Sequence, residues 1–309
     1  MATVSSIQWT DATWNIAVGC TKVDADCKYC YMYRESLNST RYDPKIIRRT
    51  KTVFKMPLKL KEPSKIFTCS LTDFFHEELD EYRHEAWQII KECPLHIFQI
   101  LTKRPERITE CLPTDFFEGG YEHVWIGTSI GSQDAVKRVG DLVMAFCMQQ
   151  KIFTNLFLSI EPMHGPINLN DLTVDIGTLK YQAIRSINWV IVGGESGNNN
   201  GAYRYRPCEI DWIYKVISDC RKWGIPCFVK QLGTDLANRF NLKNRHGGDI
   251  NEWPSELLKV RQFPADMQSL NLYRHIELNK FHYREHLENR SLMFKNAKDH
   301  YLFDKFRNK

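Results

Sequence analysis

Seven short apolar runs recur along the chain, and each has the length and the β-branched and aromatic content of a buried strand. Between several of these runs, apolar residues recur at three- and four-residue steps, the spacing of one buried helix face. The helical spacing is clearest over residues 79–93, 136–146 and 210–220. The strand-like runs occupy residues 13–19, 65–70, 96–102, 123–129, 155–161, 187–194 and 226–231.

Alternation of strands and helices predicts an α/β fold with a parallel sheet and right-handed crossovers. Seven strands favour a parallel (β/α) barrel of the TIM type, closed or partial, and a doubly wound open sheet is the alternative. We assign residues 1–235 to this barrel and residues 236–265, which begin rich in Asn, Arg and Gly, to a loop or lid completing it. Residues 266–309 are basic and predict a C-terminal helical extension.

Polar residues follow most of the predicted strands. In a parallel sheet the carboxyl ends of the strands meet at one edge, so these residues predict a shared site there. Glu161 is a candidate proton acceptor or ion-pair partner, while Lys103 and Arg104 are candidates for binding a phosphate or a carboxylate, or a solvated basic pair. The other candidates at this edge are Ser70, Asp73, Ser159, Gly193, Gly194, Glu195, Ser196 and Lys230.

Composition and charge narrow the classes of function. The 309 residues contain neither a secretory signal pattern nor an apolar run of membrane-spanning length, which predicts a cytoplasmic protein with reduced thiols and no membrane partner. Nine Lys or Arg residues lie between Arg34 and Lys61, against only Glu35 and Asp43. This run either contacts nucleic-acid phosphates or forms a solvated face. The candidate contacts are Arg41, Lys45, Arg48, Arg49, Lys51 and Lys55.

Three cysteines, Cys20, Cys27 and Cys30, lie in one short polar segment after the first predicted strand. They allow three interpretations. They hold a 4Fe-4S cluster that has one open iron, or they hold zinc together with a distant ligand such as His76 or His123, or they are unligated thiols. Other cysteines, such as Cys69, Cys147 and Cys227, lie in apolar runs and are expected to be buried.

A cluster held by three cysteines would leave one iron free to chelate the amino and carboxylate groups of S-adenosylmethionine (SAM). Reductive cleavage of SAM would then yield a 5′-deoxyadenosyl radical, which defines a radical SAM enzyme. Tyr29, directly before Cys30, completes the Cys-x-aromatic-Cys half of the radical SAM signature, but six residues separate Cys20 from Cys27 where that signature has three. The sequence Gly193-Gly194-Glu195 resembles the radical SAM motif that binds the SAM amino group, although it follows the sixth predicted strand instead of the second.

The chain as a whole resembles the three-Cys-motif proteins of phages and mobile elements, which are regarded as radical SAM-like. The resemblance covers about residues 5–265 and rests on the ordered motifs IQWTDATWN (7–15), GCTK (19–22), CKYCY (27–31), LTKRP (101–105), SIEP (159–162) and GGESG (193–197).

This resemblance implies a 4Fe-4S cluster on the three cysteines and SAM as a cofactor. A reductant such as flavodoxin or ferredoxin, a nucleic-acid or nucleotide substrate and a partner protein are further expectations. Two other functions stay open, a non-catalytic metal-stapled nucleic-acid-binding protein and a radical SAM enzyme for a peptide or small metabolite. The residues expected to contact the cofactors, apart from the cysteines, are Tyr29, Ser70, Asp73, Ser159, Gly193, Gly194, Glu195, Ser196 and Lys230.

Overall fold

Seven strands pair in parallel into one sheet, and they lie in the sheet in the order in which they occur along the chain, Ala12–Trp14, Lys65–Thr68, Ile97–Thr102, Val124–Ser129, Asn155–Met163, Ile187–Gly194 and Cys227–Gln231. The computed structural model describes residues 5–34, 43–147, 155–176, 179–199, 201–258 and 260–265. The sheet curls into a half-barrel, which confirms the predicted partial barrel; a doubly wound sheet would reverse its strand order. The strands are β1 (Ala12–Trp14), β2 (Ala17–Val18), β3 (Arg48–Arg49), β4 (Lys65–Thr68), β5 (Ile97–Thr102), β6 (Val124–Ser129), β7 (Asn155–Met163), β8 (Thr173–Ile176), β9 (Leu179–Gln182), β10 (Ile187–Gly194) and β11 (Cys227–Gln231).

Helices form where the three- and four-residue spacing predicts them. The three long ones bury the predicted apolar faces against the outside of the sheet, and α4 ends at Gly224 in the left-handed conformation. No helix in the described parts of the chain is long and apolar enough to cross a bilayer. The α-helices that lie wholly within the described residues are α1 (Asp80–Glu92), α2 (Ile108–Cys111), α3 (Lys137–Cys147), α4 (Ile210–Trp223) and α5 (Thr234–Arg239).

Two parts of the sheet differ from the prediction. The first apolar run is not one strand, because the chain leaves the sheet at Asn15, whose side chain accepts the backbone N–H of Leu71 at 2.8 Å. The residues after Asn15 form β2, which pairs antiparallel with β3. The second difference is the antiparallel hairpin β8–β9, which occupies the connection between β7 and β10 where a helix is usual.

The concave face of the half-barrel is apolar near the amino ends of the strands and polar near the carboxyl ends. Side chains two residues apart on a strand share a face, so Phe157, Ser159 and Glu161 follow one another toward the carboxyl end of β7. The apolar cluster fills the amino end, so among the described residues the polar part of the concave face lies at the carboxyl end, here called the mouth. The cluster consists of Trp9, Phe67, Ile97, Trp125, Phe157, Trp189, Ile191 and Phe228.

The segment after α5 covers the exposed edge of β11. Val229 donates its N–H to the carbonyl of Val260 at 2.7 Å, and Gln262 donates to the carbonyl of Cys227 at 2.9 Å. A covered edge cannot pair with another chain, which protects an open sheet from association. The predicted extension, residues 266–309, lies outside the described residues.

Candidate functional site

The cysteine loop, residues 19–30, lies across the mouth of the half-barrel. At its start, Gly19 donates its N–H to the carbonyl of Leu71, just past β4, at 3.1 Å. In its middle, Asp26 accepts the N–H of Gly131, just past β6, at 3.1 Å. The loop therefore lies over the carboxyl ends of several strands.

The three thiols of this loop differ from the other described cysteines. Cys20, Cys27 and Cys30 are half-buried and unpaired, whereas the six others whose side chains are described are buried, including Cys69 and Cys227 as predicted; the side chain of Cys147 lies outside the described set. Thiols that solvent can reach are suitable metal ligands once deprotonated. In the described part of the chain, however, no group of three or more His, Cys, Asp or Glu side chains is arranged to hold a metal ion. Three cysteine thiolates are therefore ligands of the right chemical type for an iron–sulfur cluster or zinc, but their sulfur atoms are not arranged around one metal position.

Arg104 lies beside the first thiol. Its Nη1 is 3.9 Å from Cys20 Sγ, and its Nη2 donates to Thr21 Oγ1 at 2.7 Å and to the carbonyl of Thr21 at 3.1 Å. Burial raises the pKa of the Cys20 thiol to about 12, and the charge of Asp73 adds to this rise, while Arg104 partly offsets it. The guanidinium of Arg104 thus hydrogen-bonds to the cysteine loop of the protein.

Asp73 joins the ends of β4 and β5. One carboxylate oxygen accepts from Thr102 Oγ1 at 2.7 Å, and the other accepts from the N–H of Lys103 at 2.8 Å. Arg104 Nη1 lies 3.5 Å from the second oxygen. Asp73 is buried, and both of its oxygens have partners within the protein. We therefore assign it a part in holding Lys103 and Arg104 at the mouth.

Asp24 and Asp26 anchor the middle of the cysteine loop to the far side of the mouth. Arg138, at the start of α3, bonds to Asp24 and donates to Asp26 Oδ2 at 2.7 Å. The other oxygen of Asp26 lies 2.7 Å from His164 Nε2. The Asp26 side chain is 2% exposed, so its pairing is shielded from water.

Lys103, Glu161 and Lys230 are three further charged residues predicted to act at the mouth. Burial alone would lower the pKa of the Lys103 ammonium, but nearby Cys27 and Cys30, followed by Asp26 and Asp73, raise it above its usual value. Lys230 Nζ donates to Glu161 Oε1 at 2.6 Å. Ser159, two residues before Glu161 on the same face of β7, is buried. The Lys103 ammonium thus lies near the thiols of Cys27 and Cys30, and the Glu161–Lys230 ion pair also lies at the mouth.

The Gly193-Gly194-Glu195-Ser196 segment packs against the residues that follow β11 and is bound by two arginines of the chain. A Cβ atom on Gly194 would lie 2.2 Å from the carbonyl oxygen of Leu232, so close packing after β11 requires this glycine, and a Cβ on Gly193 would lie 2.9 Å from the carbonyl oxygen of Gln231. The carbonyl of Ser196 accepts from Arg34 Nη1 at 3.3 Å.

Glu195 is 4% exposed, and its two oxygens accept three bonds of 2.8 Å from the backbone N–H, Nε and Nη2 of Arg206. Arg206 also donates from Nη1 to the carbonyl of Ala25 at 2.7 Å, and its guanidinium lies 5.6 Å from the centre of the Tyr29 ring. Sequence reasoning missed Arg206. The alternation of aromatic and cationic residues over 203–206 is the signal that could have found it.

Of the candidate zinc ligands, His123 precedes β6 at the opposite end of the sheet from the mouth, and its Nε2 lies 2.9 Å from the carbonyl of Ile90. His76 is near the loop, with Nε2 2.8 Å from Thr21 Oγ1 and Nδ1 accepting the N–H of Glu78 at 3.2 Å. Both rings thus already have partners.

The basic run lies on the surface around β3. Arg49 forms an ion pair with Glu85, and its guanidinium lies 4.1 Å from the centre of the Phe54 ring. Arg41 lies outside the described residues. The other predicted contacts, Lys45, Arg48, Lys51 and Lys55, are exposed.

The fold and the loop together define an α/β half-barrel with three half-buried free cysteines at its mouth. The sequence profile of the family DUF5131, described as "Protein of unknown function", matches residues 4–274. The chain belongs to this family.

No curated protein matches the chain. Among solved structures, the chain is similar to a mutant of spore photoproduct lyase with bound AdoMet and dinucleoside spore photoproduct. The identity is 15% and the TM-score 0.38, over 52% of this chain and 48% of that one. The match thus spans about half the length of that protein. An association of this chain with phages stays a prediction.

Proposed function

We propose that this protein is a radical SAM-type enzyme in which Cys20, Cys27 and Cys30 hold a 4Fe-4S cluster. The observation that carries the proposal is that these three cysteines are only half-buried and lie on one loop at the mouth, while the other described cysteine side chains are buried. A structural role in the core would bury them as well. In barrels of parallel strands, active sites lie at the carboxyl ends, where this loop lies.

When bound, such a cluster would supply the electron that cleaves SAM. The residues of the chain would provide position and charge. Lys103 places a cation near two of the thiols, where it offsets the negative charge of cysteine thiolates. The Glu161–Lys230 pair offers one carboxylate and one ammonium at the mouth, which suit the amino and carboxylate groups of an amino-acid ligand.

The proposed reaction is hydrogen abstraction from a nucleic acid or nucleotide, with electrons from a reductant such as flavodoxin or ferredoxin. A cytoplasmic location belongs to the same proposal, because free thiols persist in a reducing compartment. The excess of Lys and Arg, 42 against 37 Asp and Glu, is compatible with a polyanionic substrate.

The test is anaerobic purification followed by iron and sulfide analysis, then incubation with dithionite and SAM. We expect a coloured protein that yields 5′-deoxyadenosine. Alanine at Cys20, Cys27 or Cys30 should abolish bound iron, whereas the matched control Cys208→Ala, at a buried thiol, should retain it. A colourless, zinc-loaded protein that never forms 5′-deoxyadenosine would contradict the proposal and favour a metal-stapled binding protein.

A further inference from the structure

A surface of cations and aromatic rings borders the cysteine loop, and we call it the rim. Its members come from the loop, from residues 203–204 and from the turn before Gly247. Lys22 connects two of these segments, because its Nζ donates to the carbonyl of Lys28 at 2.9 Å and lies 5.7 Å from the centre of the Tyr203 ring. Arg245 Nη2 lies 3.4 Å from the carbonyl of Gly197. The rim consists of Lys22, Lys28, Tyr29, Tyr203, Arg204 and Arg245.

The cations of the rim have no carboxylate partner among the described residues. Lys22, Lys28, Arg204 and Arg245 form no ion pair there. The carboxylates closest along the chain to Lys22 and Lys28 are Asp24 and Asp26, which are already paired with Arg138. Glu209, the closest to Arg204, is paired with Arg239. After Arg245, Asp249 and Glu252 accept backbone N–H groups. Four exposed and uncompensated cations beside the mouth form a local site for an anion.

Aromatic rings lie among these cations. The Tyr29 ring centre lies 5.1 Å from Nζ of the rim residue Lys28 and 5.6 Å from the guanidinium of Arg206, which is paired with Glu195 and is not part of the rim. Tyr203 lies beside Lys22 and is half-buried, as Tyr29 is. Alternating cations and partly exposed rings are the means by which proteins hold single-stranded nucleic acid, since phosphates pair with the cations and unpaired bases stack on the rings.

We propose that the rim binds single-stranded nucleic acid and passes the strand beside the cysteine loop. Phosphates would contact Lys28, Arg204 and Arg245, and a base would stack on Tyr203. A duplex would fit less well, because its bases are already stacked on one another. The proposal rests on the proposed function only for the chemistry that would follow, since binding itself requires neither SAM nor reduction.

This assignment differs from the basic run predicted from the sequence. In that run, Arg49 is already paired with Glu85 and packed on Phe54. The rim also borders the thiols directly, because Lys28 lies between Cys27 and Cys30 in the chain. A substrate bound on the rim would therefore lie next to the proposed reactive centre.

The experiment measures binding of a fluorescent oligothymidylate of roughly 12 nucleotides to the full-length protein, over a series of salt concentrations and without SAM. The test variant is Arg204→Gln/Arg245→Gln. The matched control is Arg48→Gln/Lys51→Gln, which removes the same charge from exposed residues of the basic run. We expect the rim variant to weaken binding at least tenfold and to reduce the salt slope by about 1.4, given about 0.7 per lost phosphate contact. The control should bind as the wild type does.

A second variant tests stacking. Tyr203→Leu retains all charges, and we expect it to weaken binding to the oligonucleotide about tenfold while leaving the salt slope unchanged. Equal losses in the rim and control variants, tighter binding of duplex than of single strand, or no binding by the wild type would each overturn the proposal. Iron and sulfide are measured in every sample, so a protein that lacks a cluster but binds through the rim refutes the proposed function alone.

Discussion

The ring of His76 is held in one tautomer by its two hydrogen bonds. Nδ1 accepts the backbone N–H of Glu78, so the ring proton lies on Nε2, which donates to Thr21 Oγ1. Burial lowers the pKa of His76 and the charge of Arg104 lowers it further, whereas Glu77 raises it only in part. Protonation of Nδ1 would remove the acceptor that caps the turn at Glu77–Leu79. A neutral ring therefore holds the residue next to Cys20.

This pKa shift predicts a loss of stability in mild acid. The pKa is lower in the folded chain than in the unfolded chain, so the stabilisation is complete above about pH 6.5 and is lost as the pH falls below it. His76→Asn keeps a capping acceptor but does not titrate. We expect its free energy of unfolding to fall less than that of the wild type between about pH 7.5 and pH 5.5. Chemical denaturation at each pH is the measurement.

His84→Asn is the control for this experiment, because His84 is an exposed histidine on α1. It should keep the pH dependence of the wild type. If His76→Asn and the wild type lost stability in parallel, titration of His76 would not contribute.

The cysteine loop contains both the three candidate metal ligands and the carboxylates that hold the loop in place. Six residues separate Cys20 from Cys27, where the radical SAM signature has three. In the structure, two residues of this longer interval attach the loop to the rest of the protein. Asp24 and Asp26 lie within this interval, and both bond to Arg138. The longer interval thus provides the carboxylates that fix the second half of the loop to α3 and to the end of β6.

Asp26→Asn tests this anchor. The substitution keeps one oxygen acceptor but leaves Arg138 without the buried half of its pairing, and breaking a buried ion pair costs about 3–5 kcal/mol. Asp24 still pairs with Arg138, so we expect a loss of roughly 3 kcal/mol in the free energy of unfolding. In the metal-free protein, Cys27 and Cys30 should be alkylated faster, as measured by mass spectrometry, while Cys20, held near Arg104, should change less.

Asp219→Asn is the matched control, because Asp219 is also buried and also paired, with Lys215, but it lies on α4 away from the loop. It should lower stability without changing the alkylation of Cys27 and Cys30. Equal acceleration in both variants would show that global unfolding, and not the anchor, controls access to the thiols.

At the scale of the whole molecule, those parts of the fold that produce a local pattern in the sequence could be predicted. The seven strands follow from the short apolar runs and the three long helices from helical spacing, and the convergence of polar residues at the mouth follows from parallel strand order. The pairings of Glu195 with Arg206 and of Asp26 with Arg138 were missed, because neither helix nor strand periodicity indicates which carboxylate binds which cation. The hairpin β8–β9 was missed for a different reason, since two four-residue strands are too short to show a period.

The half-barrel has a gap between its two edge strands, which do not pair in the described part of the chain. Side chains from both ends of this part fill the gap at the amino end of the sheet. Trp9 lies 4.7 Å from Phe67 and 6.3 Å from Trp189, measured between ring centres. The Phe263 ring centre lies 5.6 Å from that of Trp189, and Nζ of Lys65, on β4, lies 4.9 Å from the centre of the Phe263 ring. Trp9 and Phe263, packed against the other rings of this face, therefore substitute for the missing strand contacts at the amino end.

Phe263→Ala tests whether this closure stabilises the whole fold. Truncation of a fully buried Phe costs about 3–5 kcal/mol, and Phe263 is half-buried, so we expect a loss of roughly 2 kcal/mol in the free energy of unfolding. The tryptophan fluorescence of the folded protein should also change, because Trp189 would lose a neighbouring ring. Phe240→Ala, at a ring that is 41% exposed, is the control and should cost well under half as much. Equal losses in chemical denaturation would mean that the segment after α5 only covers the edge of β11 and does not close the barrel.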